Sequence, residues 1–128
     1  MRYTQKQIDK FNRQKYIVEL EKISKNLFRM FRDKNVLAED FVLKFGQLKK
    51  KFDEKIEVHL ESEYHQQLKE YIVRIHERTC LAEVFTDKEF EDMRDAEMSN
   101  LNRLQKLKNG TSYKKDKHKS RRQNEDWG

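Results

Sequence analysis

The sequence predicts an all-α protein, and three features of its composition lead to this conclusion. The 128 residues contain no proline and three glycines, two of which, Gly110 and Gly128, lie near the C-terminus. Strands and tight turns need residues that reach positive φ or stop a helix, and this chain has almost none. Every leucine, isoleucine, valine and phenylalanine lies between Ile8 and Leu107. We therefore expect a small antiparallel bundle of three or four helices over residues 1–108, followed by a disordered basic tail over residues 109–128.

The first helix is predicted to begin after Thr4, because Thr4 and Gln7 have the spacing of a capping box. Further along, apolar residues recur at steps of four and three, which is typical of a helix face that packs against another helix. This apolar seam includes Tyr16, Leu20, Ile23, Leu27 and Met30. Asp33-Lys34-Asn35 favours a break, since Asp and Asn prefer caps and turns. We expect the Phe and Tyr residues of the helices to belong to the core.

The stretch from Val36 to Phe85 permits two interpretations. Its apolar residues recur about every 3.8 residues, so they drift around a straight helix of 3.6 residues per turn. We expect a kink or short break near residues 56–60, which divides the stretch into helix 2 (about 36–55) and helix 3 (about 60–85). A single bent helix of about 50 residues is the alternative.

The last helix has the clearest start. Thr86 and Glu89 form a second capping-box pattern, and Phe85 and Phe90 have the spacing of a hydrophobic staple. Its inner face has one polar interruption, at Glu97, and comprises Phe90, Met93, Glu97, Leu101, Leu104 and Leu107. Asn109-Gly110 is a typical helix stop.

The sequence also indicates a cellular compartment and excludes several classes of function. The single cysteine, Cys80, excludes an intramolecular disulfide and suits a reducing cytoplasm. No signal peptide or membrane span can be drawn, so we expect a cytoplasmic protein without a membrane partner. A Gly-rich phosphate loop, a GxSxG elbow and a CxxC pair are all missing from the sequence. We therefore expect no enzymatic activity, no cofactor and no small-molecule substrate.

One pair of residues has the spacing of metal ligands. His59 and Glu63 are four residues apart, so both would lie on one side of a helix. The spacing resembles the HxxxE element of hemerythrin-like four-helix bundles, which implies a metal shared with an HxxxH pair on a neighbouring helix. The chain has no HxxxH pair. We therefore expect a solvated or interhelical polar pair and no bound metal.

Two basic features indicate a polyanionic partner, in a chain whose formal net charge is +6. The first is a stripe on helix 1 whose members lie about 200° around the helix from the apolar seam, namely Lys22, Lys25, Arg29 and Arg32. The second is the tail, with Lys114, Lys115, Lys117, Lys119, Arg121 and Arg122. Lys49-Lys50-Lys51 is a third cluster, but consecutive residues fan around a helix and cannot all reach one ligand.

The sequence is compatible with two functions. The first is a non-enzymatic accessory factor that binds nucleic acid or a nucleoprotein through the stripe and the tail. The alternative is a protein-interaction module, an adaptor or chaperone, whose partner covers an apolar seam that helix 1 leaves partly uncovered. That partner could be a second copy of the chain, and affinity would then depend on seam residues such as Phe28 or Phe31. A basic face that serves only solubility remains a third interpretation.

Overall fold

Four helices make up the fold in the computed structural model, which describes residues 3–109. They are α1 (Gln5–Arg32), α2 (Ala38–Asp53), α3 (Glu63–Thr79) and α4 (Asp87–Asn109). No strand occurs within residues 3–109, so the all-α prediction is confirmed. The predicted tail lies outside the described residues, except for Asn109 at the end of α4.

The break predicted in the middle of the chain is present. Residues 54–62 are not helical and separate α2 from α3, so the single bent helix is wrong. The predicted helices were too long: α2 begins two residues later than expected, and α3 covers 63–79 instead of about 60–85. Ser62 caps α3, since its side chain accepts a hydrogen bond from the backbone N–H of His65. The two predicted capping boxes, at Thr4 and Thr86, are also formed.

Helices α1 and α2 run antiparallel, as the pairing of their side chains shows. At one end of the bundle the Phe31 ring of α1 lies 5.3 Å from the Phe41 ring of α2. At the other end the ring centroids of Tyr16 and Phe52 lie 4.6 Å apart. The apolar seam of α1 is buried by α2, α3 and α4, and Leu20, Ile23 and Leu27 have no exposed surface. Burial of the apolar core, to which this seam belongs, supplies the main driving force for the fold.

A buried arginine fixes the end of α1. Arg94, on α4, is 4% exposed, and its guanidinium donates hydrogen bonds to four backbone carbonyls. The Nη1 atom lies 3.1, 2.8 and 2.8 Å from the carbonyl oxygens of Met30, Phe31 and Asp33, and Nη2 lies 2.6 Å from that of Val36. The last carbonyls of a helix have no partner within the helix. Arg94 therefore caps α1 and holds the α1–α2 connection against α4.

A buried carboxylate joins α3 to α4. Glu97 is 5% exposed and is the polar position that interrupts the inner face of α4. Its Oε1 accepts hydrogen bonds from the Tyr71 hydroxyl at 2.9 Å and from the Asn100 amide at 3.0 Å. Its Oε2 accepts one from Arg78 at 2.8 Å. The interruption in the apolar pattern is therefore a satisfied polar contact between helices.

Candidate functional site

The four basic residues predicted on α1 lie together on its solvent side. Lys22, Lys25, Arg29 and Arg32 are all exposed, on the face opposite the buried seam. None of the four forms an ion pair with a carboxylate of residues 3–109. Arg29 donates a hydrogen bond from Nη2 to the Asn26 amide oxygen at 2.7 Å, which holds one guanidinium close to the helix surface. These residues form a row of cations about 15 Å long.

The other basic residues are placed differently. The tail cations Lys114, Lys115, Lys117, Lys119, Arg121 and Arg122 lie outside the described residues. In the lysine cluster on α2, Lys49 bonds both carboxylate oxygens of Asp53 at 2.8 Å, whereas Lys50 and Lys51 are exposed. At most two lysines of this cluster are therefore available to bind a ligand.

Most of the apolar seam of α1 is unavailable to a partner. Phe31 is 2% exposed and packs against Phe41 and Phe90, with ring centroids 5.3 and 6.0 Å apart. Phe28 is half-buried against the same core. The uncovered apolar residues of α1 lie instead outside the seam, where Ile8, Phe11 and Val18 are 38%, 40% and 60% exposed.

The expectation that helical aromatic residues belong to the core is wrong for Phe11. Its ring lies on the solvent side of α1, and the Tyr3 ring meets it nearly at right angles with a centroid distance of 5.2 Å. Tyr3 is 57% exposed. Phe11 precedes Leu20 by nine residues, or two and a half helical turns, which places the two on opposite faces. This spacing was the sequence signal that could have identified the exposed ring.

The metal-ligand geometry suggested by His59 and Glu63 is absent. His59 is exposed within the non-helical residues 54–62, and Glu63 is the first residue of α3, so no helix aligns the pair. No group of three His, Cys, Asp or Glu side chains within residues 3–109 could hold a metal ion. The buried histidine is instead His65, which has no exposed surface and whose Nε2 lies 2.9 Å from Glu21 Oε2. This contact joins α3 to α1.

Cys80 is half-buried at the C-cap of α3. Its thiol lies 3.6 Å from the carbonyl oxygen of Val42. Burial raises the pKa of the thiol, while a hydrogen bond with Thr79 partly lowers it. Because the thiolate is the nucleophile, this environment reduces the reactivity of Cys80 near neutral pH.

Comparison with protein-family models, with curated proteins and with solved structures finds no match to this chain. Within residues 3–109, none of the four helices combines the length and the apolar character that a transmembrane segment needs.

Proposed function

We propose that this protein is a cytoplasmic, non-enzymatic accessory factor that binds nucleic acid or a nucleoprotein through the basic face of α1. The observation that supports the proposal is the row of four exposed cations, Lys22, Lys25, Arg29 and Arg32, without carboxylate partners among the described residues. The basic residues between Lys114 and Arg122 would add contacts to the same polyanion.

The proposed contact is electrostatic. Lysine and arginine side chains displace condensed counterions when they reach the phosphates, and the released ions favour binding at low salt. A rigid helix fixes the spacing of its cations, so the row can follow a phosphate backbone without ordering a loop. Because backbone contacts carry no sequence information, we expect affinity without strong sequence preference.

The protein-interaction alternative has less support. It required seam residues such as Phe31 to be accessible, and Phe31 belongs to the core. A partner that covered the seam would have to displace α2 or α4. The remaining exposed apolar residues on α1, Ile8, Phe11 and Val18, are few and lie beside cations.

The test is fluorescence anisotropy with labelled DNA and RNA, single-stranded and duplex, across a salt series with the full chain. The test variant carries Lys25→Gln and Arg29→Gln, and the control variant carries Lys50→Gln and Lys51→Gln, which remove the same charge from α2. Each phosphate contact contributes about 0.9 to the slope of log affinity against log salt on a duplex, so we expect the test variant to lose about 1.8. An equal loss in the control variant, or no binding at low salt, would contradict the proposal.

A further inference from the structure

The basic face of α1 continues toward the N-terminus with a different chemistry. Steps of four and three residues lead from Phe11 through Lys15 and Val18 to Lys22, and then along the basic row to Arg32. Every one of these side chains is exposed. We call this set, Phe11, Lys15, Val18, Lys22, Lys25, Arg29 and Arg32, the outer stripe. It extends about 32 Å along the helix.

An aromatic pair occupies one end of the outer stripe. Tyr3, just before the cap of α1, lies against Phe11 at a centroid distance of 5.2 Å and an interplanar angle of 88°. Edge-to-face packing holds the two rings in a defined arrangement. Both keep exposed surface, 57% for Tyr3 and 40% for Phe11. The outer stripe thus joins an exposed aromatic pair to a row of cations on one rigid surface.

This juxtaposition goes beyond what phosphate binding requires. Contacts to a duplex backbone need only cations, and the paired bases of a duplex are stacked on one another and closed to an aromatic ring outside the groove. A single strand, in contrast, exposes the faces of its bases. Proteins that bind single strands combine a positively charged surface with aromatic side chains on which bases stack.

We propose that the outer stripe prefers single-stranded over duplex nucleic acid, with a base stacked at Phe11 and Tyr3 and the adjoining phosphates along the cations. This inference rests on the proposed function. Lys15 follows Phe11 by about one turn and contacts the phosphate nearest to the stacked base. Lys22, Lys25, Arg29 and Arg32 contact the phosphates that follow. Stacking tolerates any base, so we expect little sequence preference on single strands.

The proposal is tested with variants that remove or restore the aromatic ring at residue 11. Phe11→Leu keeps an apolar side chain but removes the π face, and Phe11→Tyr restores it. Leu43→Ala is the matched control, because it trims an exposed apolar residue of α2 that lies outside the outer stripe. Since Phe11 lies at the surface, these changes leave the core intact, and helix content by circular dichroism checks this for each variant.

The experiment measures anisotropy with a labelled single strand and with the duplex of the same sequence, at fixed low salt. We expect the wild type to bind the single strand more tightly, and Phe11→Leu to weaken that binding by about fivefold or more, since one stacked base contributes about 1–3 kcal/mol. Phe11→Tyr should restore the affinity, and Leu43→Ala should change it less than twofold. Binding to the duplex should stay unchanged in all three variants.

The possible failures are distinguishable. The single-strand proposal would be overturned if both nucleic acids bind equally well and Phe11→Leu leaves the affinity for the single strand unchanged. If that binding also depends on salt, the proposed function still stands. An equal loss on single strand and duplex would also overturn the single-strand proposal. If neither oligonucleotide binds and polyglutamate does, the outer stripe recognises an acidic protein, and both proposals are wrong.

Discussion

Replacing Arg94 with methionine is the most direct test of how the bundle is held together. Methionine has a similar length and flexibility but no donor, so the variant leaves the carbonyls at the end of α1 without their partner. The side chain also loses a cation–π contact, since the guanidinium carbon lies 4.4 Å from the centroid of the Phe90 ring. The packing around residue 94, which is 4% exposed, changes little.

The expected loss of stability can be estimated from these contacts. Two of the four acceptors, the carbonyls of Met30 and Phe31, belong to buried residues, and an unsatisfied buried acceptor costs about 1–3 kcal/mol. The carbonyl of Asp33 keeps the hydrogen bond that it accepts from the backbone N–H of Val36 at 3.2 Å. Methionine also relieves the cost of burying a charge, which offsets part of the loss. We expect the free energy of unfolding to fall by about 3 kcal/mol, a large part of the roughly 5–15 kcal/mol of a small domain.

Urea denaturation followed by circular dichroism measures this change. Arg103→Met is the matched control, because Arg103 is an exposed arginine of the same helix, and its replacement should alter stability by less than about 0.5 kcal/mol. Arg94→Lys separates charge from geometry: one ammonium cannot reach all four carbonyls, so we expect an intermediate loss. If Arg94→Met costs less than about 1 kcal/mol, the capping of α1 by Arg94 contributes little to stability and the reasoning above is wrong.

Two further predictions concern buried polar groups. Glu97→Leu should lower the free energy of unfolding by about 1–3 kcal/mol in urea denaturation, because the Tyr71 hydroxyl then has no acceptor; a neutral outcome would indicate that water replaces the carboxylate. Burial raises the pKa of Tyr64 to about 12, so the unfolded chain loses this proton first. Ionisation of Tyr64 should therefore contribute a loss of stability of about 2 kcal/mol as the pH rises from about 10 to 12, and Tyr64→Phe should remove that contribution in a pH series of denaturation curves. If Tyr64→Phe leaves the pH dependence of stability unchanged, other groups are responsible for that dependence.

Local signals in the sequence were sufficient to predict the helices. The capping residues Thr4 and Thr86 place the starts of α1 and α4, because a cap is a contact between residues three apart in the chain. The break after α2 followed from the drift of the apolar pattern. The predicted first and last residues of the break were less accurate, because the ends of α3 depend on Ser62 and on contacts with other helices.

The buried polar contacts could not be predicted in the same way. Arg94 and Met30 are 64 residues apart, and nothing near either residue indicates the other. A charged residue in a helix is ordinarily assigned to the surface. Glu97 could be placed on the inner face, but its hydrogen bonds come mainly from α3, so its partners depend on how the helices pack. His65 and Glu21 form a contact of the same kind.

The capping of α1 also bears on the proposed binding surface. Arginines in the last turn of a helix ordinarily interact with its free carbonyls and with the negative end of the helix dipole. In this protein Arg94 reaches those carbonyls from α4, inside the bundle. The last-turn residues Arg29 and Arg32 therefore need not fold back over the end of α1, and both side chains are exposed. Capping of α1 from the interior of the bundle thus leaves Arg29 and Arg32 out of the cap, and both belong to the outer stripe that we propose as the binding surface.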